Sequence, residues 1–165
     1  MTRLRDERPE DIGPIHAVTQ AAFAPKPFSD GSEGAIIRRL RERGELVLSL
    51  VIEDDSGIIG HAAFSAVRLP DKREGVYALG PISVRPDRQG EGHGGRMIRE
   101  GLARLKAMGA TGCVLVGDPR YYSRFGFRGD CGLTYKGLPA AVVQGLFWDG
   151  SEPQGEIAYA SGFER

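Results

Sequence analysis

Four glycines fall within the six residues Gly90-Glu91-Gly92-His93-Gly94-Gly95, directly before a stretch whose apolar residues recur at helical spacing. Those apolar residues run from Met97 to Met108, so the spacing predicts a helix that begins at the glycines. The first N–H groups of a helix have no internal acceptor, and the helix dipole adds positive character there. Because glycine carries no Cβ, an anion can approach this backbone closely. The cluster therefore predicts a phosphate-binding loop at a helix start.

The segments around the loop predict a mixed sheet. Residues 45–53 and 58–69 are apolar and β-branched and flank the turn signal at 54–57, so they predict an antiparallel hairpin. A third strand covers about 75–84, and the fully apolar residues 113–116 predict a strand buried on both faces. The third strand, the glycine loop, its helix and the strand at 113–116 together form a βαβ unit added to an antiparallel meander.

The remaining segments predict further helices and a closing hairpin. Helical spacing or helix-start residues indicate three helices: one that ends near Phe23, one that opens at Ser32 and Glu33, and a short one at 119–125. Residues 141–147 and 156–160 predict two strands paired as a hairpin at the end of the chain. The length of 165 residues suits one α/β domain, and we expect residues 1–165 to form a single domain.

Gly80-Pro81 lies inside the third predicted strand. Proline has no N–H to donate, so within a sheet it is confined to an edge or a bulge. We therefore expect the hydrogen-bond ladder to be interrupted near Pro81. The interruption leaves neighbouring backbone groups free for another partner.

Charge and composition exclude several classes of function. Lys plus Arg and Asp plus Glu are both 22, and a net charge of zero argues against a protein built to hold nucleic acid. No apolar run approaches the ~20 residues that span a bilayer, and the N-terminal residues lack a signal-peptide core, so we expect a cytoplasmic protein without a membrane partner. Two cysteines and three widely separated histidines lack metal-ligand spacing, so no metal site is expected.

Two rival interpretations of the glycine loop are less consistent with its context. The loop matches the dinucleotide fingerprint G-x-G-x-x-G, with Asp118 ending the next strand. However, residues 85–89 separate the loop from the strand end, and only 47 residues follow Asp118, too few for the second half of a dinucleotide fold. A Walker A loop is excluded because no Gly-Lys-Ser/Thr follows the cluster.

The string Gln89-Gly90-Glu91-Gly92-His93-Gly94 also fits Q/R-x-x-G-x-G and resembles the pyrophosphate loop of the GCN5-related N-acetyltransferases, the GNAT family. Residues 121–127 resemble that family's aromatic-Tyr-x-Lys/Arg-x-Gly-Phe segment, and residues 79–86 look like its bulged central strand. The string at 116–122 is similar to one subgroup, the predicted acetyltransferases of the YhbS type. The resemblance covers nearly the whole chain and is most specific over 79–127.

The resemblance implies a single GNAT-like α/β domain, with a mixed, mostly antiparallel central sheet splayed at a bulge and flanked by helices. It also implies acetyl-CoA as cosubstrate. The coenzyme's pyrophosphate would lie on the loop, at Gln89, Gly90, Glu91, Gly92, His93, Gly94 and Gly95. Its pantetheine arm would pair with the main chain of Ile82, Ser83 and Val84, as an added strand would.

The activity implied is transfer of an acetyl group to a primary amine of a small molecule or peptide, by direct attack. Tyr122 would act as general acid, since a phenol stays protonated at neutral pH, and Tyr121 would pack. Arg88 and Arg96 are either phosphate contacts or solvated surface charges. A second hypothesis is a catalytically idle acetyl-CoA or CoA sensor that regulates a partner. The sequence leaves open whether the protein forms a homodimer.

The general base is where the sequence departs from the family. Many members place a Glu just before the bulge, whereas this chain has Tyr77-Ala78-Leu79 there. Glu74 lies near the start of the strand. His61 and Ser65 on the neighbouring strand are candidates for lining the pocket, and the alternative for His61 is a satisfied core histidine. The loop at 24–33 is expected to contact the acceptor, whose identity the sequence does not give.

Overall fold

A six-stranded mixed sheet forms the centre of the computed structural model, which describes residues 1–164. The strand order is β1-β2-β3-β4-β5-β7, and a two-stranded sheet of β6 and β8 lies beside it. Every neighbouring pair in the large sheet is antiparallel except β4 and β5, which are parallel. The strands are β1 Arg3–Asp6, β2 Leu46–Asp54, β3 Gly57–Ala66, β4 Val76–Val84, β5 Gly112–Val116, β6 Leu133–Thr134, β7 Val143–Phe147 and β8 Gly155–Glu156.

Helices cover both faces of the large sheet. They are α1 Ile12–Phe23, α2 Glu33–Glu42, α3 His93–Ala107 and the short α4 Pro119–Tyr122. Successive side chains of a strand point to opposite faces. On β3, Ala63 packs in one cluster with Ile15 of α1, while Phe64 packs in another with Met97 of α3, so α1 and α3 lie on opposite faces. A Cβ on Gly101 of α3 would lie 2.1 Å from the Phe64 ring, so glycine is what allows this close approach.

The interruption predicted at Pro81 is present as a bulge in β4. Ala62 pairs with Ile82 and Phe64 pairs with Leu79, so Gly80-Pro81 on β4 stands opposite the single residue Ala63. The extra residue bends β4 locally, as bulges do.

A gap opens between β4 and β5 on the other side of the bulge. The two strands pair only from Val76 opposite Gly112 to Ala78 opposite Val114. Beyond Ala78 the rest of β4 has no partner strand on its β5 side among residues 1–164. The expected fold class, a mostly antiparallel mixed sheet splayed at a bulge and flanked by helices, is confirmed.

The predicted closing hairpin is wrong. Val143–Phe147 is a strand, as predicted, but it pairs antiparallel with β5 and completes that edge of the large sheet. The second segment forms the short β8, which pairs in parallel with β6, and Ala158 forms an isolated bridge with Arg68. Apolar β5 needs a neighbour on each side for its backbone groups, and β7 supplies one of them.

Candidate active site

A groove of about 640 Å³ lies over the gap between β4 and β5. It brings together almost all of the predicted site residues, from β4, the glycine loop and α4. The predicted residues that line it are Ile82, Ser83, Val84, Gln89, Gly90, Gly92, His93, Gly94, Gly95 and Tyr122. Lys26 also lines the groove, so the loop between α1 and α2 reaches it.

The edge of β4 directs backbone groups into the gap. In an antiparallel pair, alternate residues point their N–H and C=O toward the partner strand and away from it. Arg85 donates its N–H to the Ile59 carbonyl of β3 at 2.8 Å, so Ser83, two residues earlier, also faces β3. Ile82 and Val84 therefore point their backbone groups away from β3, toward β5. The Val84 carbonyl already accepts from Gln89 Nε2 at 2.9 Å, which ties the strand end to the loop.

The glycine loop leaves its amides available. Gly90 and Gly92 have φ of 81° and 89°, a left-handed conformation that a side chain would strain. Within residues 1–164, no N–H from Gly90 to Gly95 donates a backbone hydrogen bond, and Arg96 donates the first one, to Gly92. A Cβ on Gly94 would lie 3.1 Å from Tyr121 Oη. The loop thus presents a run of free donors along the groove.

One side of the loop carries a network of ion pairs, which we call the paired flank: Asp54, Arg88, Glu91 and His93. The Arg88 guanidinium bonds Asp54 at the end of β2 and donates to Glu91 Oε1 at 2.9 Å. His93 Nε2 lies 3.0 Å from the same Glu91 oxygen. Hydrogen bonds from Ser56 and Arg88 hold the pKa of Asp54 well below its usual range. Glu91 therefore contacts its neighbours in this network and does not line the groove.

The other side of the loop, which we call the open flank, carries Arg99 and Arg124. Both line the groove, and neither forms an ion pair with a carboxylate anywhere in residues 1–164. The Arg99 guanidinium lies over the Phe125 ring, 5.1 Å from its centroid, and the Arg124 guanidinium lies 4.8 Å from the centroid of Tyr121. Sequence analysis missed both residues as site residues. Of the arginines that it proposed, Arg88 also lines the groove, but its guanidinium is paired with Asp54 and Glu91. Arg96 donates to Thr2 Oγ1 at 3.1 Å and does not line the groove.

Tyr122 is fixed by the turn that follows β5. Asp118 accepts the Tyr122 N–H on its carbonyl at 3.0 Å, and its side chain caps α4 by accepting from Arg120 N. A Cβ on Gly117 would lie 2.5 Å from the Tyr122 ring, so only glycine lets the ring pack there. Burial raises the pKa of Tyr122 to about 12, with smaller contributions from Tyr121 and Asp118. The phenol is therefore protonated at neutral pH.

His61 is buried away from the groove, at the end of a polar chain. Ser49 donates its hydroxyl to Glu7 at 2.6 Å and so must accept from His61 Nε2, 2.8 Å away. The proton is then on Nε2, and Nδ1 carries a lone pair with no partner among residues 1–164. Burial lowers the pKa of His61 to about 4, so the ring is neutral at pH 7.

The other candidate for a base lies elsewhere. Glu74 precedes β4 and lines a separate groove at the opposite end of that strand. Two acidic residues lie near the start of α2. Glu33, its first residue, accepts from Ser29 Oγ at 2.6 Å, and Asp30, in the loop before it, accepts from Ser32 N at 3.0 Å.

Two further observations concern metals and membranes. No group of three or more His, Cys, Asp or Glu side chains in residues 1–164 is arranged to hold a metal ion. None of the helices in the same residues has the length and apolar character of a membrane span.

A family model for the acetyltransferase (GNAT) domain matches residues 3–129. The chain belongs to the GNAT acetyltransferases. It is 36% identical over 115 residues to the uncharacterized N-acetyltransferase YhbS of Escherichia coli K12, covering 69% of each chain. The resemblance to this family and to the YhbS type is confirmed, and so is the expected enzyme class.

Solved GNAT structures share the whole fold. A GNAT acetyltransferase from Brucella melitensis, in complex with acetyl-CoA, superposes with a TM-score of 0.89 at 46% identity over 99% of each chain. YhbS from E. coli, in complex with CoA, gives a TM-score of 0.89 at 30% identity over 99% of this chain and 92% of that one. Acetyl-CoA, the cosubstrate that the sequence implied, is thus bound to the Brucella relative, and CoA, which remains after acetyl transfer, is bound to YhbS.

Proposed function

We propose that this GNAT acetyltransferase moves the acetyl group of acetyl-CoA to a primary amine of a small molecule or peptide, by direct attack, with Tyr122 as general acid. One observation carries the proposal. The gap between β4 and β5 opens beside the glycine loop, and Tyr122 lines the same groove as both.

The loop suits a pyrophosphate. The free N–H groups from Gly90 to Gly95 can donate charge-assisted hydrogen bonds to pyrophosphate oxygens. The dipole of α3 also favours negative charge at its first residues. An added Cβ on Gly90 or Gly92 would have no atom of residues 1–164 within 4 Å outside its chain neighbours, so this backbone is open to close approach.

The gap suits an extended arm with amide groups. Ile82 and Val84 point backbone groups into it, as an edge strand does toward an added strand. A pantetheine arm carries two amides and would pair there, which places the thioester near the bulge. A backbone N–H at this edge is also suitably placed to polarise a thioester carbonyl.

In the reaction, the amine nitrogen bonds to the acetyl carbon and the C–S bond breaks, with its electron pair going to sulfur. Tyr122 Oη supplies a proton to that sulfur. A thiol has a reference pKa of about 8.5, well below the value of about 12 for Tyr122. With these values the proton would stay on the phenol. Burial also raises the pKa of a thiol, so within the groove the pKa difference between the thiol and Tyr122 is smaller and the proton transfer costs less.

The amine's proton has no carboxylate to receive it. Among residues 1–164, no Asp or Glu lines the groove, and the buried His61 of β3 does not line it either and has a pKa lowered by burial. We infer that the proton leaves through water. An enzyme of this kind favours amines that are already partly neutral.

The experiment is a CoA-release assay with the full chain across amino acids, polyamines, aminoglycosides, aryl amines and peptide N-termini. The proposal expects release that depends on at least one amine, with the acetylated amine detected by mass spectrometry. Tight acetyl-CoA binding without turnover of any amine would favour the idle sensor instead. Absence of both binding and turnover would contradict the proposal altogether.

A further inference from the structure

A pyrophosphate on the loop would be bound by backbone amides, which leaves the positive charges of Arg99 and Arg124 on the open flank without an anionic partner. Coenzyme A carries a second phosphate group, a monoester on the ribose 3′ position, which is close to a dianion at neutral pH. The pyrophosphate is matched by backbone amides, which carry only partial charges. A site with two full positive charges is therefore better suited to the monoester. This inference rests on the proposed function.

Arg99 is held where it can reach a ligand on the loop. One of its terminal nitrogens lies 3.2 Å from the position of an added Cβ on Gly95, so the guanidinium folds back over the first turn of α3. Its Cζ lies 5.1 Å from the centroid of the Phe125 ring, and its N–H groups donate to no side chain or carbonyl among residues 1–164.

Arg124 approaches the same place from the turn after α4. Its guanidinium lies over Tyr121, whose hydroxyl points at Gly94. Burial raises the pKa of the Tyr121 hydroxyl, and Arg124 and Arg99 both oppose that rise, so both charges lie within electrostatic reach of one hydroxyl. The two guanidiniums therefore converge on one end of the groove.

Arg88 shows what an arginine at this loop looks like when its charge is used by the protein. Its donors are committed to Asp54 and Glu91, so one cation faces two carboxylates. Arg99 and Arg124 have aromatic neighbours in place of carboxylates. An aromatic ring orients a guanidinium without neutralising its charge.

We propose that Arg99 and Arg124 form the subsite for the 3′-phosphate of coenzyme A and that they discriminate coenzyme A from its 3′-dephospho form. Guanidinium groups bind phosphate oxygens in paired, charge-assisted hydrogen bonds.

The test compares the dissociation constants of CoA and 3′-dephospho-CoA by calorimetry. The variants are Arg99→Gln, Arg124→Gln and the double substitution, which keep polar side chains but remove charge. Arg96→Gln is the matched control, because Arg96 lies on the same helix and donates to Thr2 outside the groove. Arg99→Lys and Arg124→Lys test whether restoring charge restores the preference. Melting temperatures without ligand report folding.

The wild type should bind CoA at least about tenfold more tightly than dephospho-CoA. Each Gln variant should lose part of that preference and the double variant should lose nearly all of it, with dephospho-CoA affinity changed by less than about twofold. Arg96→Gln should keep the wild-type preference. Equal wild-type affinity for the two ligands would overturn the subsite while leaving the proposed function intact. Equal weakening of both ligands would overturn it too, since the arginines would then hold the pyrophosphate. Binding of neither ligand would defeat the proposed function, and the subsite with it.

Discussion

The two flanks of the glycine loop carry similar residues and differ in what those residues face. On the paired flank, Arg88 forms ion pairs with Asp54 and Glu91, so its charge is balanced within the protein. On the open flank, Arg99 and Arg124 lie over aromatic rings and keep their charge for the groove. The electrostatic character of the loop is therefore asymmetric, although the chain as a whole carries equal numbers of acidic and basic residues.

The asymmetry separates holding the loop from holding a ligand. The ion pair of Arg88 with Asp54 joins the residues before the loop to the end of β2, and Glu91 bonds both Arg88 and His93. Charge-assisted hydrogen bonds of this kind hold the loop in position. The open flank adds little to that rigidity and supplies attraction for an anion. We therefore expect substitutions on the paired flank to change ligand binding less than substitutions on the open flank do.

The largest effect should come from α4, the helix that carries Tyr121, one of the two rings beside the open flank. Tyr122→Phe removes the proton donor of α4 and should lower turnover about 10²–10⁴-fold, while acetyl-CoA affinity changes by less than about threefold. Tyr135→Phe is the control, because Tyr135 packs against Tyr159 away from the groove. Steady-state rates and calorimetry give the two quantities. Unchanged turnover in Tyr122→Phe would remove this phenol from the mechanism.

The paired flank predicts which amines react. Its carboxylates are bound to Arg88, so neither is free to act as a base, and the acceptor must arrive partly neutral. At pH 7 roughly one in ten α-amines is free base against roughly one in 2,500 lysine ε-amines, from reference pKa values near 7.7–8.0 and 10.4. α-Amines or aryl amines should therefore react up to a few hundred times faster than ε-amines.

The pH profile checks the same point. The rate should climb with pH up to the acceptor's own pKa, because the neutral amine is the attacking form. A lysine side chain acetylated efficiently, with a flat profile from about pH 6.5 to 9, would show that a dedicated base exists. His61 and Glu74 would then be the first residues to substitute.

Gly92 lies in the loop between the two flanks, and substituting it should weaken ligand binding to the loop as a whole. Gly92→Val places a side chain over the amides and should weaken CoA binding about a hundredfold, as expected from losing two charge-assisted hydrogen bonds. Gly109→Val is the matched control. Gly92 and Gly109 lie near opposite ends of α3 with φ of 89° and 87°, and both have open space around an added Cβ. Both variants should melt at similarly lowered temperatures. Equal affinity in the two would contradict the site.

The smallest effect should come from converting the paired flank toward the open one. Asp54→Asn releases one of the two partners of Arg88 and should tighten CoA binding about twofold to fivefold at low salt, the range of a surface ion pair. Asp55→Asn is the control, since it changes the net charge equally in the same turn without a partner among residues 1–164. Identical effects of the two substitutions would show that only net charge matters.

Helical spacing predicted α3, and apolar, β-branched runs predicted the β2–β3 hairpin and β5, because each of these segments encodes its own burial pattern. Pro81 predicted the bulge, because a missing N–H has a local consequence. The partner of Val143–Phe147 was not predictable in this way, since an apolar strand pattern shows that a strand is buried but not which strand lies beside it.

The glycine spacing predicted the backbone part of the site, but it could not identify the arginines. Arg88 stands next to the motif and was a natural candidate, yet its partner Asp54 is 34 residues away in sequence. Arg99 reaches the groove only because α3 carries it back over Gly95, onto a ring from the following turn. His61 shows a similar limit. The sequence left open whether it lines the pocket or is a satisfied core histidine; it is buried, with Nε2 bonded to Ser49 and Nδ1 without a partner among residues 1–164.

The most direct test of the central claim, that this glycine loop serves coenzyme A, is the melting temperature with acetyl-CoA, CoA, NAD and ATP at equal concentrations. A ligand that binds only the folded state at about 100 times its Kd should raise the melting temperature by about 5–10 °C in a chain of this size. The account predicts that shift for acetyl-CoA and CoA, with NAD and ATP far behind. A shift with NAD equal to or larger than that with acetyl-CoA would contradict it.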